Sequence, residues 1–331
     1  MAEFVRWGVL STSGHAANTV IPAMKAASGG RVMAVASRDA RRARAYAAAQ
    51  DIPRSYGSYE ALLDDPDIDA VYIPLPNSLH REWTIRAAGA GKHVLCEKPL
   101  ALNAAQAAEM VAICRQAGVK LAEAFQWRHH PQAQRARALL REGTIGELRL
   151  IEAGFTFPLA RPADIRLRPE LGGGALYDVG CYPVALARYM TGAEPLAVTA
   201  QATWSESGVD DLLVGTLAFP GGVLAHINSS LRLPLRRYYE LIGTEGSLLV
   251  NLAYNPKEGA PGEIVRRGDD RRPLETYTTG RLNSYTLMTE DFNRAVLDGT
   301  EVPFPAEDGV LNMRAIDALY EAARSGKTVK L

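Results

Sequence analysis

The chain is expected to be an α/β protein in two parts: a doubly wound parallel sheet, then a domain built on a large, mainly antiparallel open sheet. Three observations carry that expectation. Across residues 4–125 short apolar runs alternate with helical patterns, the rhythm of βαβ units. After residue 147 the runs lengthen and are separated by short turns such as Pro220-Gly221-Gly222, which suits antiparallel neighbours. At 331 residues the chain exceeds what one hydrophobic core usually fills, so two domains are expected, 1–125 and 126–331.

Phe4 to Leu10 reads as the first strand, and Ser11-Thr12-Ser13-Gly14-His15-Ala16 as a turn of small residues entering a helix. In a dinucleotide-binding unit this turn is usually G-x-G-x-x-G/A, whose small residues let backbone approach a pyrophosphate at the helix amino end. Here the frame is Ser11-x-Ser13-x-x-Ala16, with serine at two glycine positions. Serine is still small, and its hydroxyl can donate to a phosphate oxygen.

Arg31 to Ala36 is the second strand. Where an acidic residue normally takes the ribose hydroxyls, the chain has Ser37-Arg38-Asp39. A guanidinium there suits a 2′-phosphate, favouring NADP over NAD, and Asp39 is placed to cap the helix running through Arg42, Tyr46 and Ala49. The third repeat runs from Ala70 to Leu75, then Pro76-Asn77 and a helix from Leu79 to Ala90. His80 either faces the cofactor or caps its own helix. The strand His93-Val94-Leu95-Cys96 ends in Glu97-Lys98-Pro99, which delivers a cation at a strand's carboxyl end, where ligands of such sheets collect. A helix from Asn103 to Ala117 and a strand from Lys120 to Phe125 complete this part.

In the second part strands are expected at 147–157, 195–204, 210–219, 223–231 and 238–243, with Thr244-Glu245-Gly246 turning into 247–251. Residues 255–272, rich in Gly, Pro and charge, read as a mobile loop, and late helices are expected at 284–297 and 307–324. The apolar share of 47% is ordinary for an enzyme, and 37 basic against 37 acidic residues give no net pull toward nucleic acid or an anionic membrane. Cys96, Cys114 and Cys181 lie far apart in apolar surroundings, which suits reduced buried thiols, and no metal-ligand spacing is present. The opening residues lack a signal-peptide pattern and no run reaches membrane-spanning length, so the cytoplasm is expected.

Four motifs then occur in order: Pro76-Asn77-Ser78-Leu79-His80, Glu97-Lys98-Pro99-Leu100, the run from Glu123 through Gln126-Trp127-Arg128 to Pro131, and Gly172-Gly173-Gly174-Ala175-Leu176-Tyr177-Asp178-Val179-Gly180-Cys181-Tyr182. Together they resemble the glucose-fructose oxidoreductase, inositol dehydrogenase and rhizopine-catabolism oxidoreductase family (Gfo/Idh/MocA), over essentially the whole chain. The resemblance implies an amino-terminal Rossmann domain and a carboxyl-terminal α/β domain. It makes Lys98 the active-site lysine. It also implies a cofactor site drawn from Ser11, Thr12, Ser13, His15, Ala16, Ser37, Arg38, Leu75, Asn77, His80, Glu97, Lys98, Trp127 and Arg128.

Asp178 and Tyr182, four apart, fall on one helical face. The preceding glycines would let backbone pass close to a nicotinamide or a sugar. Where the inositol dehydrogenase branch has histidine as proton acceptor, this chain has Tyr182. It is similar there to glucose-fructose oxidoreductase, NADP-dependent D-xylose 1-dehydrogenase and dimeric dihydrodiol dehydrogenase, whose matching tyrosine is the proposed acid/base. The implied reaction passes hydride between a sugar or polyol hydroxyl and nicotinamide. Tyr182 would be the base, Lys98 the charge stabiliser, Asp178 an orienting group, and Phe155 and Arg166 substrate contacts. The same family contains NAD-dependent glycosidases and cofactor-sensing regulators, which are the alternatives. A homodimer or homotetramer through the carboxyl-terminal sheet is expected, because an uncovered face would be too apolar to leave wet.

Overall fold

Six parallel strands form the first sheet: β1 (Val5–Leu10), β2 (Gly30–Ala36), β3 (Arg54–Tyr56), β4 (Ala70–Ile73), β5 (His93–Cys96) and β6 (Leu121–Glu123), in the order β3-β2-β1-β4-β5-β6. The order reverses between β1 and β4, which opens a crevice beyond the strands' carboxyl ends. The structure is a computed structural model in which residues 3–160, 163–254 and 260–331 are described.

Nine strands form the second sheet: β7 (Leu148–Thr156), β8 (Ala197–Trp204), β9 (Asp210–Ala218), β10 (Leu224–Ser230), β11 (Arg236–Gly243), β12 (Gly246–Asn251), β13 (Glu263–Arg267), β14 (Pro273–Thr278) and β15 (Val329–Lys330). Their order is β14-β13-β12-β11-β7-β10-β9-β8-β15, and among the described residues only β7 and β10 pair in parallel. The α/β class, with a Rossmann-type sheet and a large, mostly antiparallel one, is as expected.

Two expectations change. The chain divides into compact units Met1–Gln126 with Asn283–Val310, and Trp127–Leu282 with Leu311–Leu331. The helix Ser284–Leu297, expected in the carboxyl-terminal domain, packs instead on the first sheet. Its Tyr285, Met288 and Phe292 enter the core around Trp7, whose indole donates to Asn293 Oδ1 at 2.8 Å. A buried indole N–H needs an acceptor, and this helix provides it.

The other change is in 255–272. Residues 255–259 of the expected loop lie outside the described residues, but Glu263–Arg267 is a strand, paired with both β12 and β14. Ile264 anchors it in the core, and its charged neighbours hid the pattern. All three cysteines are buried free thiols, and no described helix is long and apolar enough to cross a membrane.

Candidate active site

In the first unit the candidate residues gather where the parallel strands end. Beyond β1, the Ser13 hydroxyl oxygen accepts the Ala16 N–H at 3.0 Å, an amino-terminal cap that uses a lone pair and not the hydroxyl proton. Tyr46 donates to the Ser13 carbonyl oxygen at 2.9 Å and pins the turn to the next helix. Ser11, Thr12 and Ser13 are half-buried, His15 is exposed, and Ala16 is buried against the core. Beyond β2, Asp39 accepts from the Arg41 and Arg42 amides at 2.8 and 3.2 Å, so its carboxylate caps the helix as expected. Ser37 is buried beside it, and Arg38 is exposed.

Beyond β5, Glu97 is 9% exposed and accepts from the buried Tyr72 hydroxyl at 2.6 Å. Burial, reinforced by that carboxylate, pushes the Tyr72 phenol well above its ordinary range, so it stays a donor. His15 Nε2 stands 3.8 Å from the same Glu97 oxygen. Lys98 is half-buried and joined to Pro99 by a cis peptide bond.

His80 requires a correction. It does not cap its helix: it is fully buried, with Nδ1 2.9 Å from the Pro99 carbonyl oxygen and Nε2 2.9 Å from that of Leu75. The ring ties the loop after β4 to the segment after Lys98. Leu75 is buried and contributes its carbonyl to this bridge, while Asn77 begins the helix Asn77–Gly89. Burial lowers the His80 pKa, opposed by the two carbonyl contacts.

In the second unit, Leu176–Gly180 forms a wide helical turn that continues into the helix Cys181–Thr191, with Tyr182 in its first turn. Tyr182 is 5% exposed, and its ring lies 5.3 Å from those of Phe155 and Tyr254, which stack on one another at 5.9 Å. Asp178 accepts from Arg166 Nε at 2.6 Å, and Arg166 also reaches Asp164. Attraction to Asp178, more than to Asp164, holds the Arg166 guanidinium above its already high value. Trp127 and Arg128, expected on the cofactor, are both buried, and Trp127 packs edge-on against Tyr189 and Tyr254.

The glycine run makes close approaches within the protein itself. A Cβ on Gly173 would lie 2.5 Å from the Arg166 carbonyl oxygen, and one on Gly174 would lie 2.2 Å from Asp210 Oδ1. These glycines admit the protein's own groups. Tyr72, Tyr254 and Asp210 were missed from sequence, since each reads there as one more strand or loop residue.

A family model described as an oxidoreductase family with an NAD-binding Rossmann fold matches residues 5–125, and one described as the GFO/IDH/MocA C-terminal domain matches residues 133–249. The chain belongs to the Gfo/Idh/MocA oxidoreductase family. It is 41% identical to a D-xylose 1-dehydrogenase (NADP(+)) of Haloferax volcanii, over 98% of this chain and 99% of that one. Among solved structures it is similar to KijD10, a 3-ketoreductase of Actinomadura kijaniata in complex with NADP and TDP-benzene. That likeness has a TM-score of 0.91 and 33% identity, over 96% of this chain and 98% of the other. It is similar also to the aldose-aldose oxidoreductase of Caulobacter crescentus complexed with glycerol, with a TM-score of 0.90 and 30% identity, over 99% and 100% of the two chains. This chain is therefore an NAD(P)-binding oxidoreductase.

Proposed function

We propose that this family member oxidises a sugar hydroxyl, at C1 of an aldose, with NADP as cofactor. The observation that carries the reading is Tyr182, a phenol at the head of a helix, walled by Phe155 and Tyr254 and preceded by the Arg166–Asp178 pair. Aromatic faces beside a charged pair suit a ring that presents both C–H surface and hydroxyls. The likeness to a D-xylose dehydrogenase and an aldose-aldose oxidoreductase supports C1 as the carbon.

The residues present fit a nicotinamide dinucleotide. A Cβ added at Gly14 would meet nothing within 4 Å, so the turn after β1 is open at the helix amino end. Asp39 is committed to its cap, which leaves Arg38 as the charged group for the ribose and favours the 2′-phosphate of NADP. A nicotinamide dinucleotide held by this turn and Arg38 would supply the hydride acceptor. Tyr182 takes the hydroxyl proton, and the Lys98 ammonium stabilises negative charge on the substrate oxygen. A tyrosine with its ordinary pKa of about 10 is a poor base at neutral pH, so the cation is needed. Arg166 holds the Asp178 carboxylate in place to accept from substrate hydroxyls.

Buried reduced cysteines suit a cytoplasmic enzyme. A homodimer through the open face of the second sheet, where Leu224 is 45% exposed, belongs to the same proposal and is read by light scattering. The deciding experiment incubates aldoses, inositols and dihydrodiols with NADP or NAD and follows absorbance of the reduced cofactor. Stoichiometric NADPH from an aldose is expected. Cleavage of a glycoside with no net NADPH would replace this reading with the glycosidase.

A further inference from the structure

The turn that carries Tyr182 is held from behind by groups the proposed chemistry does not use. Its leading amide, Leu176 N–H, donates to Asp210 Oδ2 at 2.7 Å. The other oxygen of that carboxylate accepts from the Tyr320 hydroxyl, also at 2.7 Å. Asp210 opens β9 and is 1% exposed, while Tyr320 projects from the helix Glu307–Ser325. Gly174, at φ 128°, lies against the same carboxylate, where any side chain would collide. Farther along, Gly180 packs on Ser229 of β10, and the Asn312 side-chain amide donates to the Cys181 carbonyl oxygen at 3.4 Å.

We infer that Asp210, braced by Tyr320, is a positioning residue for the reaction: it caps the helical segment from which Tyr182 projects and so sets where the phenol stands. The inference rests on Tyr182 being the proton acceptor. A carboxylate this buried persists only when its oxygens are hydrogen-bonded, and both are. Its charge also lies at the amino end of the helical segment, where exposed N–H groups favour an anion. Without it, the Leu176 amide loses its acceptor and the turn relaxes. A catalytic group moved by about 1 Å costs about 10² in rate.

The test measures kcat, KM and the pH dependence of kcat for Asp210→Ala, Asp210→Asn and Tyr320→Phe, each with and without Tyr182→Phe. NADP is used with D-xylose, or with the aldose turned over fastest. Asp210→Ala should lower kcat about 10- to 100-fold with KM and cofactor affinity within about threefold, and should shift the rising limb of the pH profile. Asp210→Asn keeps an oxygen for Leu176 and should recover most of the rate. Tyr320→Phe, the milder change should Asp210→Ala fail to fold, should show a fall of about two- to fivefold and the same limb shift. In the Tyr182→Phe background all three should have little further effect, because the group they position is gone. Equal losses in both backgrounds, or an unmoved limb, would overturn the inference and leave Tyr182 as the base. Full activity of Tyr182→Phe alone would overturn that reading and the inference with it.

Discussion

Tyr72 donates its phenolic hydroxyl to Glu97 Oε1 at 2.6 Å, so the carboxylate next to Lys98 is held by a residue from the neighbouring strand. Tyr72→Phe keeps the ring and removes the donor. Hydrogen bonds to charged groups contribute about 1.5–3 kcal/mol, and a loss of that size is expected in urea unfolding at pH 7. A loss below about 0.5 kcal/mol would show that water replaces the phenol at no cost.

His80 makes stability depend on pH. Burial holds its folded pKa below the unfolded value of about 6.5, so below pH 6.5 the unfolded chain takes up more protons than the folded one. Its contribution is therefore complete above pH 6.5 and is lost as pH falls toward the folded pKa. His80→Gln should lower the melting temperature at pH 7.5 and flatten its fall between pH 7 and 5. Some slope will remain, because burial also lowers the pKa of His93 and His130. Parallel melting curves for the two proteins would refute the assignment to His80.

Arg38→Ala tests the cofactor proposal. Loss of one charge-assisted bond should weaken NADP about 10- to 100-fold and leave NAD nearly unchanged, as read by titrating both cofactors. Equal losses would remove the 2′-phosphate from Arg38.

Lys98→Met keeps most of the apolar stem and deletes the charge. Hydride transfer should vanish, while cofactor binding and melting temperature largely survive. Turnover near the parent rate would return Lys98 to a solvated strand end.

Tyr182→Phe preserves the packing against Phe155 and Tyr254 and removes the proton path, so kcat should fall by about 10² to 10⁴ with little change in cofactor affinity. Tyr182→His should retain part of the rate. Its rising limb should move to lower pH, since an imidazole ionises near about 6.5. Identical limbs in the two proteins would assign the ionisation to another group.

Local features were determined by sequence. Five of the six parallel strands follow from apolar runs, while β3, the short polar Arg54–Tyr56, left no such pattern; the Asp39 cap follows from a side chain that reaches amides two and three residues ahead. The helix Ser284–Leu297 was legible end to end, with Asn283 capping it. The candidate residues Lys98, Arg38, Asp178 and Tyr182 were legible as motif positions. What each touches was not.

Partner choice waited for the tertiary structure, because it depends on surfaces far apart in the chain. Trp7 and Asn293 are 286 residues apart, and only their meeting shows that the late helix covers the first sheet. His80 could be read as a ligand or a cap until two carbonyls closed on its ring. The glycines at 173 and 174 announced a close approach by lacking side chains. Asp210 and the Arg166 backbone decided what approaches, since a carboxylate and a carbonyl this close admit no intervening methyl group.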